Sequence, residues 1–108
     1  MYILKNNKLP KFHLKFNGYR IENKNDKIIG YIKTIASKDE NNYAMFYFIH
    51  IAYNLKNERS EVYVTWEKYN PWSQDWMYFW SGGDDSGRVI PIIAQHDKKL
   101  LKYLKYID

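Results

Sequence analysis

Three histidines, His13, His50 and His96, are the side chains of this sequence best suited to acid–base or metal chemistry near neutral pH. Their spacing matches no metal-ligand motif, because ligands on one element recur within a few residues of each other. His96 stands next to Asp97 and downstream of Asp84, and a His–Asp pair could serve acid–base chemistry, as in a metal-independent ribonuclease. Nothing in the spacing selects that reaction, so we expect that this protein is not an enzyme.

The composition excludes several other kinds of site. The chain has no cysteine, which rules out a thiolate nucleophile, a cysteine-bound metal and a disulfide framework. Asp84 and Asp85, in the glycine-bearing loop 81–87, are too few carboxylates for a calcium loop, and this loop lacks the lysine and glycine spacing of a phosphate-binding loop. His50 stands in an apolar run and is expected to be a hydrogen-bonded core residue. The sequence therefore predicts no metal and no small-molecule cofactor.

Charge is segregated along the chain. Residues 1–38 carry nine Lys or Arg against two acids, residues 39–97 carry four against nine, and residues 98–108 carry four against one. Two basic ends around an acidic middle could merge into one basic face that attracts polyanions. The alternative interpretation is that solvated lysines only maintain solubility.

Aromatic side chains are concentrated in the acidic middle of the chain. Twenty of the 108 residues are aromatic, and thirteen of them lie between Tyr43 and Trp80. Most of these thirteen are expected in the core, since a small sheet buries aromatics at alternating positions. The remainder must reach the surface, and an exposed Trp or Tyr patch in an acidic region is typical of a protein-binding surface.

The dipeptide Asn17-Gly18 separates two alternating segments, which is the strongest short-range signature of a β-hairpin. The hairpin register would place Lys15 opposite Arg20 and Lys11 opposite Lys24 on one cationic face. Cations two residues apart on a strand are ~7 Å from one another, close to the phosphate spacing of a nucleic acid, and neighbouring tyrosines could stack on unpaired bases. The alternative is a sheet face whose lysines only discourage edge pairing. The candidate nucleic-acid-binding residues are Lys11, His13, Lys15, Tyr19, Arg20 and Lys24 of the hairpin, with Lys98, Lys102 and Lys105 of the C-terminal segment.

The rest of the chain reads mainly as strands. Residues 26–37 fit either a helical stripe or a strand, and four β-branched isoleucines with one glycine favour the strand. Residues 43–53 carry apolar side chains on both alternating faces, as does a central strand that is covered on both sides. Residues 62–66 consist mainly of residue types that favour β-strands. Residues 71–81 fit a helix and a strand about equally. If residues 76–80 form a strand, residues 89–93 are expected to return as its hairpin partner, with Pro91 marking a sheet edge.

The C-terminal segment predicts a helix that begins after Asp97 as its N-cap. Its apolar face would consist of Leu100, Leu101, Leu104 and Ile107. Together these elements predict a single α+β domain over residues 1–108, with an antiparallel sheet of about five to six strands and a C-terminal helix packed on one face.

Two functions from different classes fit these patterns. The first is non-enzymatic binding of single-stranded nucleic acid with low sequence specificity, because arginine, the usual reader of base edges, is scarce. The second is an inhibitor or immunity-type accessory protein that blocks a partner enzyme through an aromatic and acidic surface. The residues of that alternative surface would be Trp72, Asp75, Trp76, Trp80, Asp84 and Asp85.

The composition also suggests a source and a compartment. Lysine, isoleucine, asparagine and tyrosine make up 47 residues, a bias typical of low-GC bacteria, their phages and mobile elements. The sequence contains neither a signal-peptide core nor an apolar run of the ~18 residues that a spanning helix needs. We therefore expect a cytoplasmic protein with no membrane partner.

Overall fold

The computed structural model describes residues 1–81 and 86–107, in which a seven-stranded antiparallel sheet carries helices on one face. The strands are β1 (Tyr2–Leu4), β2 (Arg20–Lys24), β3 (Ile28–Lys38), β4 (Ala44–Asn54), β5 (Arg59–Asn70), β6 (Asp75–Ser81) and β7 (Leu104–Tyr106). The helices are α1 (Lys11–Phe16), α2 (Ser86–His96), a 3₁₀ turn at Lys5–Asn7 and a C-terminal 3₁₀ helix at Lys98–Tyr103. The predicted α+β class, with an antiparallel sheet and a helix near the C-terminus, is confirmed.

The strand order is β2-β3-β4-β5-β1-β7, and β6 also pairs with β5. Strand β5 is long enough to have two partners along one edge. It pairs with β1 at Val62 and with β6 from Val64 to Asn70. Strand β6 is therefore an edge strand that lies beside the second half of β5. In the described part of the chain, no strand pairs with its outer edge.

Every turn of the meander from β2 to β6 begins with an Asx residue whose side chain binds the backbone. Oδ1 of Asn25, Asp39, Asn54 and Asn70 accepts a hydrogen bond from the backbone N–H two residues later, at 2.7 to 3.0 Å. Such turns are specified by local sequence alone. Each turn of the meander is therefore stabilised by a hydrogen bond within the turn itself.

Alternation along β4 divides the sheet into two faces. Tyr47, Ile49 and Ile51 face the helices, while Phe46 and Phe48 point to the opposite side. Every buried hydrophobic side chain of the described helices belongs to one core cluster on the first side, so we name the second side the open face. The core cluster consists of Leu4, Leu14, Ile49, Ile51, Val62, Val64, Val89, Ile92, Ile93, Leu100 and Leu104.

The core is aliphatic, which contradicts the expectation that most aromatics of residues 43–80 would be buried. Among residues 1–79 and 87–107, no aromatic side chain is fully buried. Tyr47 and Trp66 pack at the margin of the core cluster, and others lie on the open face. Aliphatic side chains from short helices fill the space above β4 and β5, so the large rings are left to the periphery.

The hairpin predicted at Asn17-Gly18 is wrong, because residues 11–16 form helix α1. A two-residue hairpin turn needs a positive φ at both positions, and Asn17 has φ −114°. Gly18, with φ +80°, instead ends the helix: the Tyr19 N–H donates to the Leu14 carbonyl at 3.2 Å, as in a Schellman cap. Strand β2 pairs with β3 rather than with residues 11–16.

The position predicted for the C-terminal helix is also wrong. Asp97 caps no helix through its side chain, and the residues after it form the short 3₁₀ helix and then strand β7. Leu100 and Leu104 are nevertheless buried in the core cluster. The apolar pattern correctly predicted burial of Leu100 and Leu104, but Leu101 and Ile107 are only half-buried. It did not give the secondary structure, because a 3₁₀ turn followed by a strand can bury the same two leucines.

The strand predicted at residues 89–93 is replaced by helix α2, with Pro91 inside it rather than at a sheet edge. Val89, Ile92 and Ile93 lie at helical spacing and are all buried. Their packing against the sheet outweighs the strand preference of β-branched residues and the hydrogen bond lost at proline. The strand predictions for residues 26–37, 43–53 and 62–66 are confirmed, and residues 75–81 form a strand rather than a helix.

Candidate functional site

A buried carboxylate ties α1 to the end of α2. Asp97 Oδ2 accepts hydrogen bonds from the Tyr19 hydroxyl at 2.6 Å and from His13 Nε2 at 2.9 Å. Asn17 Nδ2 lies 3.3 Å from His13 Nδ1, which identifies the Nδ1 atom as the acceptor and the Nε2 atom as the proton carrier. Burial, then the hydrogen bond and charge of Asp97, raises the pKa of Tyr19, so its hydroxyl stays a donor. We name this arrangement the His13–Asp97 pin.

The pin brings the two lysine-rich ends of the chain together. The His13 ring lies 5.6 Å from the Tyr103 ring of the C-terminal 3₁₀ helix, so that helix and α1 are neighbours. We give the name basic surface to the exposed lysines of these two helices that the sequence predicted for nucleic-acid binding, Lys11 and Lys15 of α1 with Lys98 and Lys102 of the 3₁₀ helix; Lys99 of the same helix is exposed as well. Lys102 Nζ lies 5.1 Å from the Tyr103 ring centroid. Basic groups that are distant in sequence thereby lie on neighbouring helices, where their positive fields add.

Helix α1 exposes two phenylalanines beside these lysines. Phe12 and Phe16 are 80% and 72% exposed, and their spacing of four residues places them on the same side of the helix. Lys15 Nζ lies 5.8 Å from the Phe16 ring. Large apolar side chains exposed together on a small protein mark a contact surface. We name Phe12 and Phe16 the α1 aromatic pair.

The other residues predicted for nucleic-acid binding do not belong to the basic surface. Arg20 pairs with Ile32 at the β2 edge and Lys105 pairs with Ile3 in β7, which places both on the open face rather than on the basic surface. Lys24 lies at the far end of β2 and is exposed. His13 is buried in the pin and Tyr19 is half-buried there, so both position α1 instead of offering a surface cation or a fully exposed ring.

A cluster of aromatic rings surrounds one carboxylate on the open face. Glu67 of β5 lies opposite Phe46 of β4 and Tyr78 of β6. The Trp76 ring lies 5.6 Å from Phe46 and 5.5 Å from Tyr69. Trp76 is 43% exposed and Tyr78 is 61% exposed. These five residues form what we name the aromatic face.

Four of the five were not among the candidates drawn from the sequence. Phe46, Glu67, Tyr69 and Tyr78 were missed because membership depends on which side of the sheet each strand presents. The signal was present in the alternation along residues 43–53, but it needed the pairing register to become a surface.

His50 lies farther along the open face and has a structural role. Its Nε2 atom lies 2.7 Å from Thr65 Oγ1, and its ring stacks on Tyr63 at 4.5 Å. Burial lowers the pKa of His50, and the charge of Glu22 opposes that shift. The distance from His50 Nδ1 to Glu22 Oε2 is 3.4 Å, but the geometry makes no hydrogen bond. The expectation of a hydrogen-bonded, buried His50 is confirmed.

The residues predicted for protein binding lie in and around β6. Trp72 is 91% exposed in the β5–β6 turn, and Asp75 begins β6. Trp76 belongs to the aromatic face, while the backbone of Trp80 pairs with Thr65. Asp84 and Asp85 lie outside the described residues.

A groove of about 570 Å³ lies beside β1 and the start of β5. Ile3, Ile28 and Tyr53 are among its lining residues, and no histidine lines it. Residues 1–81 and 86–107 contain no cluster of three or more His, Cys, Asp or Glu that could hold a metal ion. In the same part of the chain, no helix has the length and apolar character needed to cross a membrane.

No family model, no curated protein and no solved structure matches this chain. The functional argument therefore depends on the basic surface and the aromatic face themselves.

Proposed function

We propose that this protein binds single-stranded nucleic acid, without catalysis and with little sequence preference, through the basic surface and the α1 aromatic pair. The observation that carries the proposal is the His13–Asp97 pin. It holds α1, with its exposed Phe12 and Phe16, beside the C-terminal 3₁₀ helix, so exposed lysines from both ends of the chain lie on neighbouring helices. Phosphates and unpaired bases are the groups that such a surface complements.

The chemistry of the surface favours backbone and stacking contacts. Lysine ammonium groups neutralise phosphates without reading bases, and exposed aromatic rings stack on any base. The basic surface has no arginine, the side chain that makes the commonest specific contact with guanine. A cytoplasmic location, in a bacterium or its phage or mobile element, belongs to this proposal, since a chain without cysteine needs no oxidising compartment.

The proposal is tested by titrating a labelled single-stranded oligonucleotide over a range of salt concentrations. Replacing Lys11, Lys15, Lys98 and Lys102 with Gln should reduce the slope of log K against log salt by about 2 to 3 units. The matched control replaces four exposed cations in or beside the β2–β3 and β4–β5 turns, which are Lys24, Lys27, Lys56 and Arg59. The control removes equal charge and should change the slope much less.

The stacking contribution is tested separately. Replacing Phe12 and Phe16 with Ala should weaken binding by about 1–3 kcal/mol for each base that stacks, with an unchanged salt slope. Both side chains are exposed, so the fold should not change. Absence of binding at low salt, or equal slope changes in the surface and control variants, would refute the proposal.

A second candidate function is protein binding by an inhibitor or immunity-type accessory protein that blocks a partner enzyme. The observation that favours it is the exposure of Trp76 and Tyr78 on the aromatic face, away from the basic surface. Replacing Trp76 with Ala should abolish capture of a partner from nuclease-treated lysate and leave oligonucleotide binding unchanged. Capture that does not depend on Trp76 would argue against this candidate.

A further inference from the structure

The aromatic face contains a carboxylate without a partner. Glu67 is partly buried, and no ion pair or hydrogen bond of its side chain occurs within residues 1–81 and 86–107. The adjacent Lys68 points to the other side of the sheet, where its Nζ lies 3.8 Å from Glu40 and 5.9 Å from the Phe79 ring. A carboxylate framed by aromatic rings attracts cations and repels phosphate.

Two further carboxylates, those of Glu22 and Glu61, lie on the open face. Glu61 lies opposite Ala52, and Glu22 approaches His50 from β2. Burial raises the pKa of Tyr63, and the charges of Glu22 and Glu61 raise it further, as expected in a negative local field. The cations of the open face lie at strand ends or on edge strands, and they are Arg20, Lys38, Arg59 and Lys105.

Strand β6 adds backbone groups to this surface. It pairs with β5, and in the part of the chain that the structure describes its other edge has no strand partner. The run from Trp76 to Phe79 contains no charge, proline or glycine that would discourage edge pairing. An extended segment that pairs with this edge would place every second side chain on the open face, beside Trp76 and Tyr78.

We infer that the aromatic face and the β6 edge bind an extended, cationic segment of a partner protein, in which Arg or Lys side chains at alternate positions stack on Trp76 and Tyr78 and face Glu67. Cation–π attraction and the carboxylate supply the preference for positive charge, and backbone pairing supplies the alternate spacing. The inference rests on the second candidate function and names the chemistry of its ligand. It does not depend on nucleic-acid binding.

The test uses fluorescent peptides of identical length with the purified protein. One peptide alternates Arg with Thr, a second places the same Arg residues in one block, and a third replaces Arg with neutral citrulline in the alternating order. The alternating Arg peptide should bind about tenfold more tightly than either of the others. Glu67→Gln, which keeps the shape of the side chain, and Trp76→Ala should each weaken that binding about tenfold.

The matched controls are Glu58→Gln, in the β4–β5 turn, and Tyr106→Ala, in β7 on the helix side of the sheet, both of which should leave peptide binding unchanged. Thermal unfolding of each variant checks that the fold is retained. Equal affinity for the citrulline and Arg peptides, equal affinity for the blocked and alternating peptides, or an unaffected Glu67→Gln variant would each overturn the inference. Displacement of the peptide by a single-stranded oligonucleotide that remains after direct peptide–oligonucleotide binding is subtracted would overturn it as well, since the face would then be a nucleic-acid surface.

A further comparison separates this inference from the function on which it rests. If nuclease-resistant partner capture depends on Trp76 but the alternating peptide does not compete with it, the inference of a cationic ligand is refuted. The protein-binding function on which it rests would still stand. If capture does not depend on Trp76 either, both the cationic ligand and the protein-binding function through this face are refuted.

Discussion

At the scale of single residues, Asp97 has a role that its position in the sequence did not indicate. An Asp before an apolar periodic run is typical of a helix N-cap, yet its carboxylate accepts hydrogen bonds from His13 and Tyr19 instead. Those donors are 84 and 78 residues away in the chain. A local pattern cannot report such partners, so the pin became visible only in the folded structure.

Replacing Asp97 with Asn should lower the free energy of unfolding by about 1.5–3 kcal/mol. Hydrogen bonds to a charged group are the stronger class, and the neutral amide would leave the buried donors of His13 and Tyr19 poorly satisfied. Urea denaturation measures the change, and Asp26→Asn in the exposed β2–β3 turn is the control. Equal denaturation midpoints for the Asp97→Asn variant and the parent protein would show that the pin contributes little to stability.

His50 predicts a dependence of stability on pH. Its pKa in the fold is lowered from 6.5, mainly by burial, with Glu22 opposing the shift, and burial and Lys33 lower the pKa of His96 in the same direction. The unfolded chain then binds more protons than the fold below about pH 6.5, so stability should fall as pH decreases through that value.

Thermal unfolding measured from neutral to mildly acidic pH tests this expectation. His50→Gln keeps a polar group near Thr65 Oγ1 but does not titrate, so its stability should change less with pH than that of the parent protein. Parallel pH profiles would mean that His50 is not the source of the dependence.

At the scale of elements, structure that local interactions specify was predicted more often than structure that depends on contacts distant in the sequence. The strands β3, β4 and β5 were identified from residue type, whereas residues 71–81, which contain β6, fitted a helix and a strand equally. Asx turns close the hairpins from β3 to β6 locally. Helix α1 was missed because Gly18 suits either a hairpin turn or a helix C-cap. Helix α2 was missed because Pro91 and β-branched residues favour a strand until Val89, Ile92 and Ile93 are packed against the sheet.

Strand β7 provides a test of how firmly the C-terminal segment is docked. Leu104 lies opposite Leu4 of β1 and belongs to the core cluster. Replacing it with Ala should therefore cost ~2–4 kcal/mol of stability, the range for a buried leucine. Leu101→Ala, at a half-buried position, should cost less. Denaturation midpoints measure both changes, and a near-zero effect of Leu104→Ala would mean that β7 does not stabilise the fold.

At the scale of the whole molecule, the fold converts charge segregation along the chain into segregation between surfaces. The basic ends meet on the helix side through the pin, while β5 of the acidic middle presents Glu61 and Glu67 on the open face. The sequence predicted the first of these features from charge counts. The second could not be predicted, because only the strand register decides which side a carboxylate takes.

Two surfaces on opposite sides of one sheet should bind their ligands independently. A labelled oligonucleotide and the alternating Arg peptide should occupy the protein together, and saturating one should change the affinity for the other by less than about twofold, as for sites without shared residues.

The Phe12→Ala/Phe16→Ala variant should lose oligonucleotide affinity alone, Trp76→Ala should lose peptide affinity alone, and the combined variant should show the sum of the two losses. The Arg peptide also binds free oligonucleotide directly, so the two affinities must be measured with the protein in excess and with the peptide–oligonucleotide interaction subtracted. Mutual exclusion after that correction would mean that both ligands use one surface, which the separation of α1 from β6 by the sheet does not allow.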